Sequence, residues 1–89
     1  MVKQLHLKIS GDVVGVFFRA SARDQAVALG LTGWVKNANS GVEMLAQGEE
    51  ERLQEFLQWC KQGPRSAKVE EVEVDWQEAH EKVKRFEIR

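Results

Sequence analysis

Residues 31–47 read LTGWVKNANSGVEMLAQ, and this stretch decides the fold. Leu31 to Lys36 reads as one strand and Val42 to Gln47 as another, and Asn39, Ser40 and Gly41 between them supply the turn chemistry of a hairpin. Downstream the period changes. Leu53, Phe56, Leu57 and Cys60 fall at i, i+3, i+4 and i+7, one apolar stripe on an amphipathic helix over Glu50 to Gln62. Glu49, Glu50 and Glu51 sit where carboxylates suit the helix dipole, and Gly63-Pro64 ends the helix. Upstream, Ser21 with Asp24 forms a capping-box pattern, Ala22, Ala26 and Leu29 recur at helical spacing, and Gly30 is a stop signal. The pattern predicts a helix from about Ala22 to Leu29. Before it, Leu5, Leu7 and Ile9 alternate with Gln4, His6, Lys8 and Ser10, the period of a strand with one buried face. Val72, Val74 and Trp76 alternate in the same way, and Phe86 and Ile88 suggest a last short strand.

The order is strand, helix, strand, strand, helix, strand, with a terminal strand added. Two split βαβ halves give a ferredoxin-like α+β fold, an antiparallel sheet with both helices on one face. Residues 1–89 read as one domain with no linker, repeat or low-complexity run. That fold hosts unrelated functions, so it does not by itself name one.

Composition closes several doors. The 89 residues are 43% hydrophobic and 30% charged, an ordinary globular balance near the lower size limit for a self-sufficient core. No run approaches the roughly 18 to 20 apolar residues of a membrane span. The start, MVKQLH, lacks the apolar block of a secretion signal. A single cysteine, Cys60, excludes an internal disulfide and suits a reducing cytoplasm. One Cys and two His cannot build a zinc site of those residues. Thirteen Lys and Arg against fourteen Asp and Glu leave a net charge of −1, mixed along the chain. A nucleic-acid partner is therefore not expected, because such binders gather basic residues on one face. Any anion site must be local and built from a few positioned donors, and a monomer is the default.

The segment Gly11-Asp12-Val13-Val14-Gly15-Val16-Phe17-Phe18-Arg19 joins the first strand to the first helix. A loop there can turn several backbone N–H groups inward, the helix N-terminus adds partial positive charge, and Gly15 permits close approach. Arg19 offers a planar fork of donors that matches phosphate oxygens. The same residues also suit an ordinary β–α turn, with Val16, Phe17 or Phe18 in the core and Arg19 in solvent. On the residues alone the ordinary turn is slightly the better fit.

Residues 9–19, Ile-Ser-Gly-Asp-Val-Val-Gly-Val-Phe-Phe-Arg, resemble the phosphate-binding signature of the acylphosphatases. Gly33-Trp34-Val35-Lys36-Asn37, followed by Val42-Glu43 and Gly48, resembles that family's second signature. Leu29 to Gly33 and Gly63 to Val69 are similar to the family as well, so the resemblance spans nearly the whole chain. It implies metal-free, cofactor-free hydrolysis of an acyl phosphate to a carboxylate and inorganic phosphate. By the same resemblance, the loop Val13, Val14, Gly15, Val16, Phe17, Phe18 and Arg19 binds the phosphoryl group. Arg19 would clamp it, and Asn37 would orient the attacking water. The chain departs from the family in carrying Val14 where Gln is usual and in carrying Asp12 near where the family usually has a basic residue. Its turn after Asn37 is also one residue shorter.

The chemistry explains why so few residues suffice. The leaving carboxylate is a weak base and needs no general acid, so charge neutralisation and an in-line water remain to be supplied. An Asn amide both donates and accepts, which suits holding a water. Asn near a strand end is otherwise more often a turn residue. His6 and His80 read as solvated, Cys60 as a buried inert thiol, and Trp34, Trp59 and Trp76 as core or rim packing. The reading from another class is a non-catalytic ferredoxin-like module that binds an anion or a partner. An RNA-binding version would need exposed aromatics on the central strands, and the first strand's polar phase has none.

Overall fold

The computed structural model describes residues 2–15, 17–79 and 81–89. His80, read above as solvated, lies outside the described residues. The elements are β1 (Val2–Asp12), α1 (Phe18–Ala28), β2 (Thr32–Ala38), β3 (Gly41–Glu49), α2 (Glu50–Gln62), β4 (Lys68–Glu78) and β5 (Phe86–Ile88). The sheet order is β4-β1-β3-β2-β5. The four long strands pair antiparallel, and β5 alone joins parallel, to β2, so the sheet is mixed.

Alternation along the strands sorts the two faces. Leu5, Leu7 and Ile9 of β1 lie beside Ala46, Met44 and Val42 of β3, and Val35 of β2 lies beside Met44. All are buried, and they share one core with Phe18, Ala22 and Ala26 of α1 and Leu53, Phe56 and Cys60 of α2. Both helices therefore cover the same face, α1 over β2 and β5 and α2 over β1, β3 and β4. Burial pushes the Cys60 thiol pKa well above its ordinary value, consistent with an inert core thiol.

Helix α1 begins a turn earlier than the capping-box pattern predicts, and Ser21 is inside it. Its N–H donates to the Phe17 carbonyl at 3.0 Å. The true buried stripe is Phe18, Ala22, Ala26, at spacings of four, and burial of the Phe18 ring outweighs the local cap signal. Val74 and Trp76 lie at the rim of the covered face. They face the helix side, opposite Leu7 and Leu5, but β4 is an edge strand of the sheet. They are 39% and 40% exposed, whereas Val69 and Val72 further along the strand pack against the core.

The uncovered face is polar but organised. His6 is not simply solvated: its Nε2 lies 2.7 Å from Glu43 Oε2. Lys36 and Arg89 each lie 5.3 Å from the Trp34 ring centroid. Gln47, buried on that face, is satisfied by Gln4, the Glu81 carbonyl and the Val83 N–H, so residues 81–83 close over it.

Candidate active site

The end of β1, the loop after it and the first turn of α1 form one concavity. The β1–β4 register shifts at Ser10/Gly11, and Val13, 1% exposed, pins the start of the loop to the core. Val14 and Gly15 follow in an exposed turn. Gly15 has φ +76°, and a Cβ there would meet nothing within 4 Å. Glycine is needed for its backbone angle, and the empty surroundings leave its backbone open to approach. Val16 lies outside the described residues.

Phe17 then takes a left-handed conformation, φ 62° and ψ 19°, and swings the chain into α1. Its ring is left 81% exposed while the ring of Phe18 is buried. Phe18 packs on Trp59 of α2 with ring centroids 5.6 Å apart, and Trp59 stacks on Phe56. That aromatic series holds the first turn of α1 in place. Among the described residues, no side chain caps the helix and no acidic residue stands in its first turn. The amide donors at its N-terminus therefore keep their affinity for an anion. Arg19 sits half-buried in the same turn.

The resulting cavity measures about 240 Å³ and is lined by Val13, Gly15, Phe17, Phe18, Arg19 and Ala20, and by Ile88 from β5. Most of the loop residues that the sequence singles out are thus brought together around Arg19. Val14 is exposed on the loop but does not line the cavity. Asn37 does not line it either. Asn37 belongs to β2, opposite Val42, and the turn falls later, at Asn39 and Ser40. It continues the phase of Gly33 and Val35 on the helix-covered face, and Ile88 lies opposite Val35. Asn37 is therefore one side-chain position beyond the β2 residue that faces a cavity-lining residue, and it is exposed there. Besides Ala20, which follows Arg19 on α1, Ile88 is the lining residue that sequence reasoning missed. Its strand was legible, but its parallel pairing with β2 was not.

Among the described residues, no group of three or more His, Cys, Asp and Glu side chains is placed to hold a metal ion. Among the described residues, no helix is long and apolar enough to cross a membrane.

The acylphosphatase family profile matches residues 5–88 of the chain. An acylphosphatase of Pelotomaculum thermopropionicum is 47% identical over 82% of this chain and 80% of its own length. One of Pyrobaculum islandicum is 45% identical over 93% of this chain and 90% of its own. The solved structure of an acylphosphatase from Coxiella burnetii superposes with a TM-score of 0.92 at 38% identity, covering 99% of this chain and 93% of that one.

Proposed function

The chain belongs to the acylphosphatase family, and on that premise we propose how its own residues hydrolyse an acyl phosphate. The N–H groups of the 13–19 loop and the Arg19 guanidinium bind the phosphoryl oxygens. Asn37 holds a water in line with the bond to the acyl oxygen. The water oxygen bonds to phosphorus, the P–O bond to the acyl group breaks, and the electron pair leaves on the carboxylate. The water's protons end on phosphate and solvent. No residue need protonate so weak a base, so positioning and charge stabilisation carry the rate. The single observation that carries this reading is the uncapped N-terminus of α1 opening onto a cavity with Arg19 in its wall.

The same proposal makes residues 1–89 a single domain, metal-free and cofactor-free, acting as a cytoplasmic monomer on a small-molecule acyl phosphate. It expects no nucleic-acid or membrane partner. The mixed charges and the lone buried thiol support this.

The test is steady-state kinetics on an aromatic acyl phosphate with chelator present, for Arg19→Ala, Arg19→Lys and Asn37→Ala. Arg19 touches the phosphoryl group in ground and transition states, so Arg19→Ala should raise KM and lower kcat. Lysine should not rescue it. Asn37→Ala should lower kcat on the order of 10²-fold, as for loss of one positioned donor, with KM nearly unchanged. A folded Asn37→Ala protein with near-normal kcat refutes the water-positioning role. Phosphate binding without any turnover in the parent protein would make it the non-catalytic module instead.

A further inference from the structure

We propose that the exposed Phe17 ring and the Ile88 side chain seat the acyl half of the substrate, so that the site selects acyl phosphates with an apolar, planar acyl group. This rests on the reading of the cavity as an acyl phosphate site and adds which acyl group it takes. Phe17 is the one non-glycine residue with positive φ among the described residues. A bulky L-residue in that conformation is strained, and such strain gathers at ligand clamps. Nor does its ring serve the core: it is 81% exposed, and the neighbouring Phe18 fills the buried position. What the ring does instead is line the same cavity as Arg19, with Ile88, 38% exposed, contributing from β5.

The substrate's own connectivity does the rest. A phosphoryl group held by loop amides and Arg19 has its acyl carbon one bridging oxygen away, so the acyl part must lie against the cavity's remaining wall. Apart from Arg19, the described side chains of that wall are Val13, Phe17, Phe18, Ala20 and Ile88, with no carboxylate, amide or hydroxyl among them. Beyond Arg19 and the backbone donors, which the phosphoryl group engages, none of these described side chains can pair with a charged or hydroxylated acyl group, and leaving such a group unpaired on binding is costly. A flat apolar group instead covers the Phe17 ring, with the stacked or edge-on contact that aromatic faces favour.

The experiment compares kcat/KM for benzoyl phosphate and acetyl phosphate, each divided by its uncatalysed hydrolysis rate in the same buffer. The parent protein should prefer benzoyl phosphate on the order of tenfold or more, the usual reach of one apolar contact. Phe17→Asn, whose side chain tolerates the left-handed conformation, should bring the ratio close to one. Phe17→Tyr, which keeps the ring, should hold it. Ile88→Thr, which keeps the branched strand shape, should lower the ratio part of the way and decides the matter if Phe17→Asn does not fold. A parent ratio near one, or a ratio unmoved by Phe17→Asn and Ile88→Thr, overturns this proposal and leaves the hydrolase reading intact. Failure to hydrolyse either substrate removes both.

Discussion

Gly63→Ala should damage the site from 45 residues away, because Gly63 is the backstop of the ring that holds α1 in place. Two costs add. Gly63 has φ 70° and ψ −176°, a region that only glycine occupies freely, and forcing alanine into it costs about 1–3 kcal/mol. An alanine Cβ would also lie 2.9 Å from Phe18 Cε2 and 3.3 Å from Val69 Cγ2. The Phe18 ring has nowhere to retreat, being 1% exposed and packed on Trp59, so overpacking adds about 1–3 kcal/mol. The expected total is about 2–6 kcal/mol, a large share of the stability of so small a domain. Urea unfolding measures it, and a double-mutant cycle with Phe18→Leu isolates the contact. Trimming the ring should recover about 1 kcal/mol or more of the Gly63→Ala cost as coupling energy. Phosphate affinity should move in parallel, falling in Gly63→Ala and recovering partly in the double variant, because Arg19 follows Phe18 in the same turn. A cost below about 1 kcal/mol would mean the loop after α2 yields easily. Zero coupling would mean Phe18 is not what the new methyl meets. Either result would refute the argument that packing from α2 sets the position of the cradle.

Two further outcomes follow from resolved interactions. His6 and, more weakly, Lys36 hold the Glu43 carboxyl below its ordinary value of 4.5, so that stabilisation is complete above this pH and is lost as pH falls through the lowered value. Glu43→Gln should therefore cost about 1 kcal/mol at neutral pH and flatten the acid loss of stability below about pH 4.5, read as urea midpoints against pH; parallel curves would refute the pairing. The buried Cys60 thiol should react with a thiol reagent only as fast as the core opens, many-fold slower than in urea, and prompt labelling of the native protein would show that α2 lifts from the sheet.

Much of the fold was legible because its signals are periodic. The stripe Leu53, Phe56, Cys60 and the alternation Leu5, Leu7, Ile9 each report a buried face directly, and both faces are where periodicity puts them. Errors arose where a local signal competed with tertiary packing. Ser21 and Asp24 form a respectable cap, yet Phe18 gains more by entering the core as the first helical residue, and the helix starts there. Val74 and Trp76 alternate correctly, but alternation does not say how far a helix reaches across the sheet. Parallel pairing of β5 with β2 is a long-range choice with no short-range mark, which is why Ile88 was not foreseen in the cavity. His6 likewise gains its partner only through the register that sets β1 against β3. In the site, the residue types of residues 11–19 and their position between strand and helix were readable, but the left-handed turn at Phe17 was not.

The two helices of this molecule treat their N-termini in opposite ways, and the contrast bears on what the first one is for. Helix α2 has Glu50 and Glu51 in its first turn, and Glu50 is in turn paired with Lys3 at 2.8 Å. Carboxylates there offset the positive end of the helix dipole, as stability alone would favour. Helix α1 has no acidic residue in its first turn and no side-chain cap, and it places Arg19 at its own positive end. A cation in that position is unfavourable by the same dipole argument that makes α2 favourable. The arrangement becomes favourable when a multiply charged anion completes it, because the amide donors, the dipole and the guanidinium then all act on the same oxygens. The first turn of α1 is thus poorly arranged for an empty protein and well arranged for a phosphoryl group. On the proposed reading of the site, that preorganised positive field is where transition-state stabilisation would act, since only interactions strongest in the transition state accelerate a reaction.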